Sequence, residues 1–213
     1  MAGLAAELHI RPGVTAIIGS GGKTTLMLAL AAELQERGSV IVTTSTHIFP
    51  PDGIKTVQRA ETEKVQGILC VGTPCEHGKL AAPAQSFEEL AGLADFVLVE
   101  ADGSKHLPIK VHRSFEPVIP ANASETICVI GASGLNRPVE EAVHGWEQFY
   151  RMTGEKITTP EAVAKTLKME NLADRYVINQ ADVNEEAARA LGALLHKPAA
   201  AAILRKGEIL CSF

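Results

Sequence analysis

The sequence predicts an α/β fold in which helices cover both faces of a mostly parallel sheet. Short, almost wholly apolar runs such as "GVTAIIG" (13–19) and "SVIVTTST" (39–46) alternate with stretches of helical period. Continuous apolar strands are typical of parallel sheets that are buried on both faces. Polar residues follow five of these runs. Because ligands bind beyond the carboxyl ends of parallel strands, we expect a binding site at that edge of the sheet.

The predicted elements follow one another along the chain. Apolar, β-branched segments predict strands, the last of them a short strand within its segment: 13–19, 39–46, 67–72, 95–104, 126–133, 174–182 and 200–210. Apolar residues recurring at three and four predict helices: 23–38, 86–94, 159–168 and 184–197. Gly38 stands where a C-terminal cap belongs. Thr159 and Pro160 suit the cap and the first position of their helix.

Length and composition limit the kinds of partner. The 213 residues suit one domain over 1–213, with 105–125, which holds three prolines, as a long ordered loop near the site. The net charge of −5 and the lack of a long basic run argue against nucleic-acid binding. No apolar run reaches about 18 residues, so we expect no membrane span and a soluble, cytoplasmic protein. The cysteines form no C-x-x-C pair, which indicates free thiols and no zinc site.

The segment "IIGSGGKTT" (17–25) is the strongest functional signal. A predicted strand precedes it and a helix begins at its lysine, which is the context that a phosphate-binding loop needs. Glycines let backbone amides turn toward phosphate oxygens, and the helix N-terminus favours negative charge. Lys23 would reach the terminal phosphates, and the Thr24 hydroxyl would bind Mg²⁺. The expected nucleotide-binding residues are Gly19, Ser20, Gly21, Gly22, Lys23, Thr24 and Thr25.

The loop is shorter than the standard G-x-x-x-x-G-K-[ST] pattern, because Ile17 stands where the first glycine belongs. Its compact G-x-x-G-K-T-T spacing resembles the loop of the Mur ligases, and this resemblance covers the loop alone. The alternative is a tight turn between a strand and a helix. Such a turn does not need Lys-Thr-Thr after it, so the sequence favours a P-loop NTPase-like domain with three layers.

The segment "FVLVEADGS" (96–104) predicts a metal-binding acid. An apolar strand that ends in acids downstream of a phosphate loop is typical of a Walker B strand. Glu100 and Asp102 lie two residues apart, so an extended chain directs both to one side. Either carboxylate could hold Mg²⁺ or orient an attacking water. Glu100 is favoured because it directly ends the strand. The alternative is a solvated acidic turn.

The segment "NQAD" (179–182) resembles the N-K-x-D element by which many GTPases bind guanine. Asn179 and Asp182 match this element, and Asp182 would accept hydrogen bonds from the guanine ring. Gln180 replaces the lysine of the element, which removes an aliphatic stem and a charge over the base. The alternative is an Asn-Asp turn before the next helix. The sequence therefore leaves the base open between ATP and GTP.

Two further polar segments suit an anionic second substrate. Thr46 and His47 follow the second predicted strand, and histidine could bind an oxyanion or move a proton near neutral pH. The loop after Asp102 carries a cationic cluster within nine residues: Lys105, His106, Lys110, His112 and Arg113. A cationic cluster in an acidic protein suits an anionic ligand. The alternative is a solvated loop face.

Four segments in the same order resemble the YqeC family: "IIGSGGKTT", "TTSTHIFPP", "LVEADGSKHLPIKVHRSFEPVIP" and "INQAD". The resemblance covers most of the chain, and the long central segment is its most specific part. Proteins of this family are described as accessory proteins of selenium-dependent molybdenum hydroxylases. The resemblance implies a role in the maturation of such an enzyme or of its cofactor, and it implies no particular reaction.

We therefore expect a nucleoside triphosphatase that uses Mg²⁺ with ATP or GTP, with Lys23, Glu100 and Asp102 as its catalytic residues. A kinase or ligase would pass the terminal phosphate to a substrate held by His47 and the cationic loop. A non-catalytic carrier would instead bind a molybdopterin nucleotide or a selenium donor. The expected partners are the nucleotide and a molybdenum hydroxylase client or a cofactor intermediate. The sequence leaves the oligomeric state open.

Overall fold

The computed structural model describes residues 3–61 and 63–213. Its strands are β1 (Gly13–Gly19), β2 (Val40–Thr44), β3 (His47–Ile48), β4 (Thr56–Val57), β5 (Ile68–Val71), β6 (Thr73–Pro74), β7 (Leu80–Ala81), β8 (Phe96–Glu100), β9 (Ile109–Lys110), β10 (Ala123–Gly131), β11 (Val143–His144), β12 (Arg175–Asn179), β13 (Ala199–Ile203) and β14 (Glu208–Ser212). Its α-helices are α1 (Leu4–Glu7), α2 (Lys23–Leu34), α3 (Phe87–Leu93), α4 (Val139–Ala142), α5 (Trp146–Thr153), α6 (Pro160–Glu170) and α7 (Glu185–Leu194).

The predicted α/β fold with a large, mostly parallel sheet is confirmed. Within the described residues, the main sheet has nine strands in the order β14, β13, β12, β10, β1, β8, β2, β5 and β4. The helices flank this sheet, which is consistent with the predicted three-layer arrangement. No helix in the described part of the chain is long and apolar enough to cross a membrane.

The chain divides into two compact units. The first contains the chain up to Ile17, Thr24–Asp102 and Val118–Thr126. In this unit β8 pairs in parallel with both β1 and β2, and β2 pairs in parallel with β5. The strands are buried because they consist almost wholly of aliphatic residues, such as Val97 and Val99 of β8 and Ile41 of β2. The aliphatic side chains of these strands therefore form the core of the first unit.

The second unit contains Ile18–Lys23, Gly103–Pro117 and Ile127–Phe213. Here β12 pairs in parallel with β10 and β13, and β14 returns antiparallel to β13. Helix α6 begins as predicted, with Pro160 at its start and the Thr159 hydroxyl accepting from the Ala162 amide at 3.2 Å. The prediction of one domain over 1–213, with 105–125 as a loop near the site, stays a prediction.

Several predicted boundaries differ from the structure, and two of these differences have a clear physical reason. Helix α2 ends at Leu34, four residues before Gly38, whose amide donates to the Leu34 carbonyl oxygen at 3.1 Å. Gly38 also allows a close approach to Asp95, whose Oδ2 would lie 2.5 Å from an added Cβ and accepts a hydrogen bond from the Ser39 amide at 2.9 Å. At the C-terminal end, 200–210 contributes to two strands, because a turn at Gly207 reverses the chain between β13 and β14.

Several short strands and helices of the structure were not predicted from the sequence. A small antiparallel sheet of β3, β7 and β6 lies in the first unit, and its two-residue strands are too short to give a sequence period. Helix α5 is longer and amphipathic, with Phe149 buried while Trp146 and Tyr150 are partly exposed. Gly145 and Gly154 cap its two ends, and both lie in the left-handed region of backbone conformation. These glycines were the available sequence signal for this helix.

Candidate functional site

The glycine loop between β1 and α2 needs glycine for steric reasons. Gly19 has a φ of +90° and Gly21 a φ of +84°, a region that residues with a Cβ rarely adopt. A Cβ on Gly19 would lie 2.3 Å from the carbonyl oxygen of Val129, and one on Gly21 would lie 2.5 Å from Cα of Gly131. The glycines predicted to cradle phosphate thus also allow the loop to pack tightly against the end of β10.

Lys23 is the first residue of α2, and its ammonium group turns back toward the loop. Nζ donates to the Gly19 carbonyl oxygen at 2.9 Å and to Ser104 Oγ at 3.3 Å. The residue is only 5% exposed. A buried ammonium needs such partners, because the loss of hydration is costly. Lys23 is therefore oriented across the glycine loop, and its charge is held beside the turn that contains Ser104.

The turn at 103–108 packs against the glycine loop. The Ser20 hydroxyl donates to the Leu107 carbonyl oxygen, and the Gly131 amide donates to the Pro108 carbonyl oxygen at 2.8 Å. Lys105 and His106, at the tip of the turn, are exposed and have φ values of +49° and +63°. Two of the predicted cationic residues, Lys105 and His106, therefore directly follow Ser104, which contacts Lys23.

In the first unit, the Thr24 hydroxyl donates to Glu100 Oε2 at 2.7 Å. Glu100 is 7% exposed, whereas Thr24 and Thr25 lie on the exposed side of α2. The Glu100 backbone is fixed as well, because its carbonyl oxygen accepts from the Thr44 hydroxyl at 2.8 Å. The structure therefore brings together the hydroxyl and the carboxylate that were predicted to bind a metal ion. Two oxygen donors at this distance suit a hard cation such as Mg²⁺.

The remaining residues predicted on this side are near the same strand ends. Asp102 is 1% exposed and follows Glu100 by two residues. The Thr46 amide donates to the Thr44 hydroxyl at 2.9 Å, so Thr46 is held beside the end of β2. His47 is exposed at the start of β3. Their roles in catalysis or substrate binding stay predictions.

Asn179 at the end of β12 contacts the glycine loop directly. Its Nδ2 donates to the Gly21 carbonyl oxygen at 2.7 Å, and its Oδ1 accepts from the Leu204 amide at 3.0 Å. Asn179 thereby connects the loop to the short 3₁₀ turn Leu204–Lys206. Asp182 is paired with Arg205 of this turn. The sequence did not predict a role for Arg205. Asp182 and Arg205 are far apart along the chain, and no local sequence pattern shows that folding brings them together.

Some members of the predicted cationic cluster are exposed and others are buried. Lys105, His106 and Arg113 are exposed. Lys110 is 3% exposed, forms an ion pair with Glu116 at 2.9 Å and also contacts the Gly103 carbonyl oxygen. Burial lowers the pKa of His144, and the nearby Lys110 ammonium lowers it further. Lys110 therefore anchors the base of the turn in this structure, and its contact with a substrate stays a prediction.

His112, the other buried member of the cluster, is bound to an acid on α6. Its Nδ1 lies 3.1 Å from Glu170 Oε2, and its amide donates to Glu170 Oε1 at 2.6 Å. Among the residues that the structure describes, no group of three or more His, Cys, Asp or Glu side chains could hold a metal ion. Cys70, Cys75, Cys128 and Cys211 form no disulfide.

Comparison with known proteins identifies the family. The family model described as "YqeC protein" matches residues 15–147, which include the glycine loop, Glu100 and the turn at 103–108. The chain belongs to the YqeC family. A relative from Escherichia coli (strain K12), named "Uncharacterized protein YqeC", is 35% identical over 176 residues, which cover 76% of this chain and 66% of the relative. The chain thus spans slightly less than two thirds of that relative's length.

The steric constraint at Gly19 predicts a large loss of stability on substitution. Gly19→Ala places a methyl group against the Val129 carbonyl oxygen in a left-handed conformation, so we expect a loss of about 3 kcal/mol or more. Gly154→Ala is a matched control, since Gly154 has a φ of +78° and open space around it, and should lose only about 1–2 kcal/mol. Urea unfolding measures both, and equal losses would contradict the steric account.

Proposed function

We propose that this protein is an Mg²⁺-dependent nucleotide-binding protein of the P-loop type and acts as a nucleoside triphosphatase. The observation that carries the proposal is the 2.7 Å hydrogen bond from Thr24 to Glu100. It joins the helix that follows a glycine loop to the acid that ends a central strand. A glycine loop, a lysine, a hydroxyl and an acid in this order are what phosphoryl transfer needs for positioning and for charge stabilisation.

The phosphate groups of the nucleotide would lie at Gly19–Lys23. Backbone amides at the start of α2 and the helix dipole favour negative charge there. Lys23 would add a full positive charge next to the terminal phosphates, where a charge-assisted hydrogen bond is about twice as strong as a neutral one. The residues that bind phosphate are thus contributed by one continuous stretch of chain.

Thr24 and Glu100 fit Mg²⁺ because they offer a hydroxyl and a carboxylate oxygen, which are the hard donors that this ion prefers. When bound, Mg²⁺ would neutralise charge on the phosphate oxygens. Thr24 is an exposed residue, whereas Glu100 is buried. Asp102, two residues beyond Glu100, would orient the attacking water and accept its proton.

The nucleotide base would lie near Asn179 and Asp182. Asn179 is attached to the glycine loop through Gly21, so the end of β12 lies next to the proposed phosphate site. Asp182 is paired with Arg205 through Oδ2, so a guanine base would share this carboxylate with Arg205 or displace it. With that pairing kept, ATP and GTP are both candidates.

The proposed cellular role is the maturation of a selenium-dependent molybdenum hydroxylase or of its cofactor. This role rests on what the family resemblance implies. The relative from Escherichia coli carries no activity in its name. The hydroxylase or a cofactor intermediate would be the partner, and the proposed location is the cytoplasm.

A kinase or ligase is the second candidate. It is favoured by the exposed Lys105 and His106, which follow directly after Ser104, the contact of Lys23. Such cations suit an anionic acceptor for the terminal phosphate. Phosphate release without any added substrate would favour the simple hydrolase. Tight nucleotide binding with no phosphate release, even with a client present, would favour the carrier.

Removal of the lysine charge tests nucleotide binding. Lys23→Ala should raise the Kd for Mg²⁺-ATP or Mg²⁺-GTP by at least about 100-fold, since one charge-assisted interaction of about 3 kcal/mol is lost. Isothermal titration calorimetry measures the Kd, and circular dichroism checks that the variant is folded. Lys55→Ala is the control, because Lys55 is exposed on the first unit, and it should bind like the wild type. Undiminished affinity in Lys23→Ala would exclude the assignment.

Neutralising Glu100 tests the metal ion separately. Glu100→Gln keeps the size of the side chain and an oxygen that can accept from Thr24, but it removes the negative charge. We expect phosphate release to slow by about 100-fold or more, because a metal ligand of a phosphoryl-transfer site is lost. We also expect the wild type to bind nucleotide more weakly in EDTA than in Mg²⁺, and the variant to show almost no such difference. An unchanged Mg²⁺ dependence in the variant would show that Glu100 does not bind the ion.

A further inference from the structure

The two phosphate-binding side chains of the glycine loop are covered in the second unit. Ser20 is fully buried and Lys23 is 5% exposed, whereas Thr24 and Thr25, the next residues along the helix, are exposed. A nucleotide arriving from solvent therefore meets the hydroxyls of α2 before it can meet the lysine. The segment that covers Lys23 must therefore move before the Lys23 ammonium group can contact a phosphate.

The covering segment is the turn from Gly103 to Pro108, which we call the strap. The Ser104 hydroxyl lies 3.3 Å from the Lys23 ammonium, and the Leu107 carbonyl oxygen accepts from the Ser20 hydroxyl. Each of these strap oxygens occupies a donor that a phosphate oxygen would use. The strap thus offers the loop two oxygen acceptors in place of a ligand.

The strap is anchored at its two ends and strained in its middle. The Gly103 carbonyl oxygen accepts from Lys110, whose ion pair with Glu116 fixes it, and the Pro108 carbonyl oxygen accepts from the Gly131 amide. Between these anchors, Lys105 and His106 both adopt the left-handed conformation, which is unfavourable for residues with a Cβ. A strained turn between two fixed ends is typical of a segment that can adopt more than one conformation.

We propose that the strap closes the phosphate loop of the nucleotide-free protein and that the terminal phosphates of a bound nucleotide displace Ser104 from Lys23. This inference rests on the proposed function and adds a regulation of the same site. The closed strap lowers the apparent nucleotide affinity by the fraction of molecules that are closed. It also carries Lys105 and His106, so its position decides whether these cations reach the phosphates.

The affinity of a strap variant tests this competition. Ser104→Ala removes the hydroxyl that competes for Lys23, so the Kd for Mg²⁺-ATP or Mg²⁺-GTP should fall by about two- to tenfold, the worth of one neutral hydrogen bond. Ser114→Ala is the matched control, because Ser114 is exposed and lies beyond the strap, so the Kd should stay unchanged. An unchanged or higher Kd in Ser104→Ala would overturn the proposal.

Proteolysis tests the movement without any mutation. Lys105 is exposed at the tip of the strap, so trypsin can cleave after it when the strap opens. We expect Mg²⁺-nucleotide to accelerate this cleavage several-fold relative to cleavage after the exposed Lys55, as followed by mass spectrometry. Unchanged or slower cleavage at Lys105 would overturn displacement of the strap.

The outcomes separate the strap from the proposed function. If the wild type binds nucleotide and Ser104→Ala binds it no more tightly, the strap is excluded and the proposed function stands. If neither protein binds any nucleotide, both the strap and the proposed function are excluded. If both bind and Ser104→Ala binds more tightly, with faster cleavage at Lys105 in the wild type, both proposals are supported.

Discussion

The hydrogen bond between Thr24 and Glu100 depends on the register of the sheet. Glu100 is aligned with Thr44, the last residue of β2, and with Ile17 of β1, which continues to Gly19. A register shift of one residue would direct its side chain to the opposite face of the sheet. The apolar runs of β1, β2 and β8 are buried along almost their whole length, so a large shift would expose part of a run and move Glu100 away from the end of β2. Hydrophobic burial thereby sets the position of the only carboxylate that contacts the Thr24 hydroxyl among the described contacts.

The glycine loop adds a second constraint, and it explains why the loop can be short. Gly19 and Gly21 approach the backbone of β10 more closely than any side chain would allow. Ser20 is held there by its amide, which donates to the Val129 carbonyl oxygen at 2.8 Å, and Asn179 holds Gly21. A loop fixed at successive residues loses little entropy when it binds a ligand, which favours tight binding. Ile17 is fully buried in β1, so the loop proper begins only at Gly19.

The sequence was informative wherever a local pattern carried the signal. The strands, the start of α2 and the Thr159 cap follow from apolar runs, helical period and capping residues. Pairing within the fold could not be predicted: Lys110 and His112 were interpreted as part of a cationic cluster for an anionic ligand, with a solvated loop face as the alternative, but Glu116 and Glu170 pair with them. For the same reason, two further contacts could be found only from the structure. They are the ion pair between Asp182 and Arg205 and the contact of Ser104 with Lys23.

We propose that Gly19–Thr25 and Glu100 bind a nucleoside triphosphate with Mg²⁺. A thermal-shift experiment on the wild-type protein with ATP, GTP and CTP, each in Mg²⁺ and in EDTA, tests it most directly. A ligand at about 100 times its Kd stabilises the native state by about 2.7 kcal/mol, which raises the Tm of a chain of this size by about 5–10 °C. We expect at least one purine triphosphate to give this rise in Mg²⁺ and a much smaller one in EDTA. No rise with any triphosphate at millimolar concentration would contradict the account.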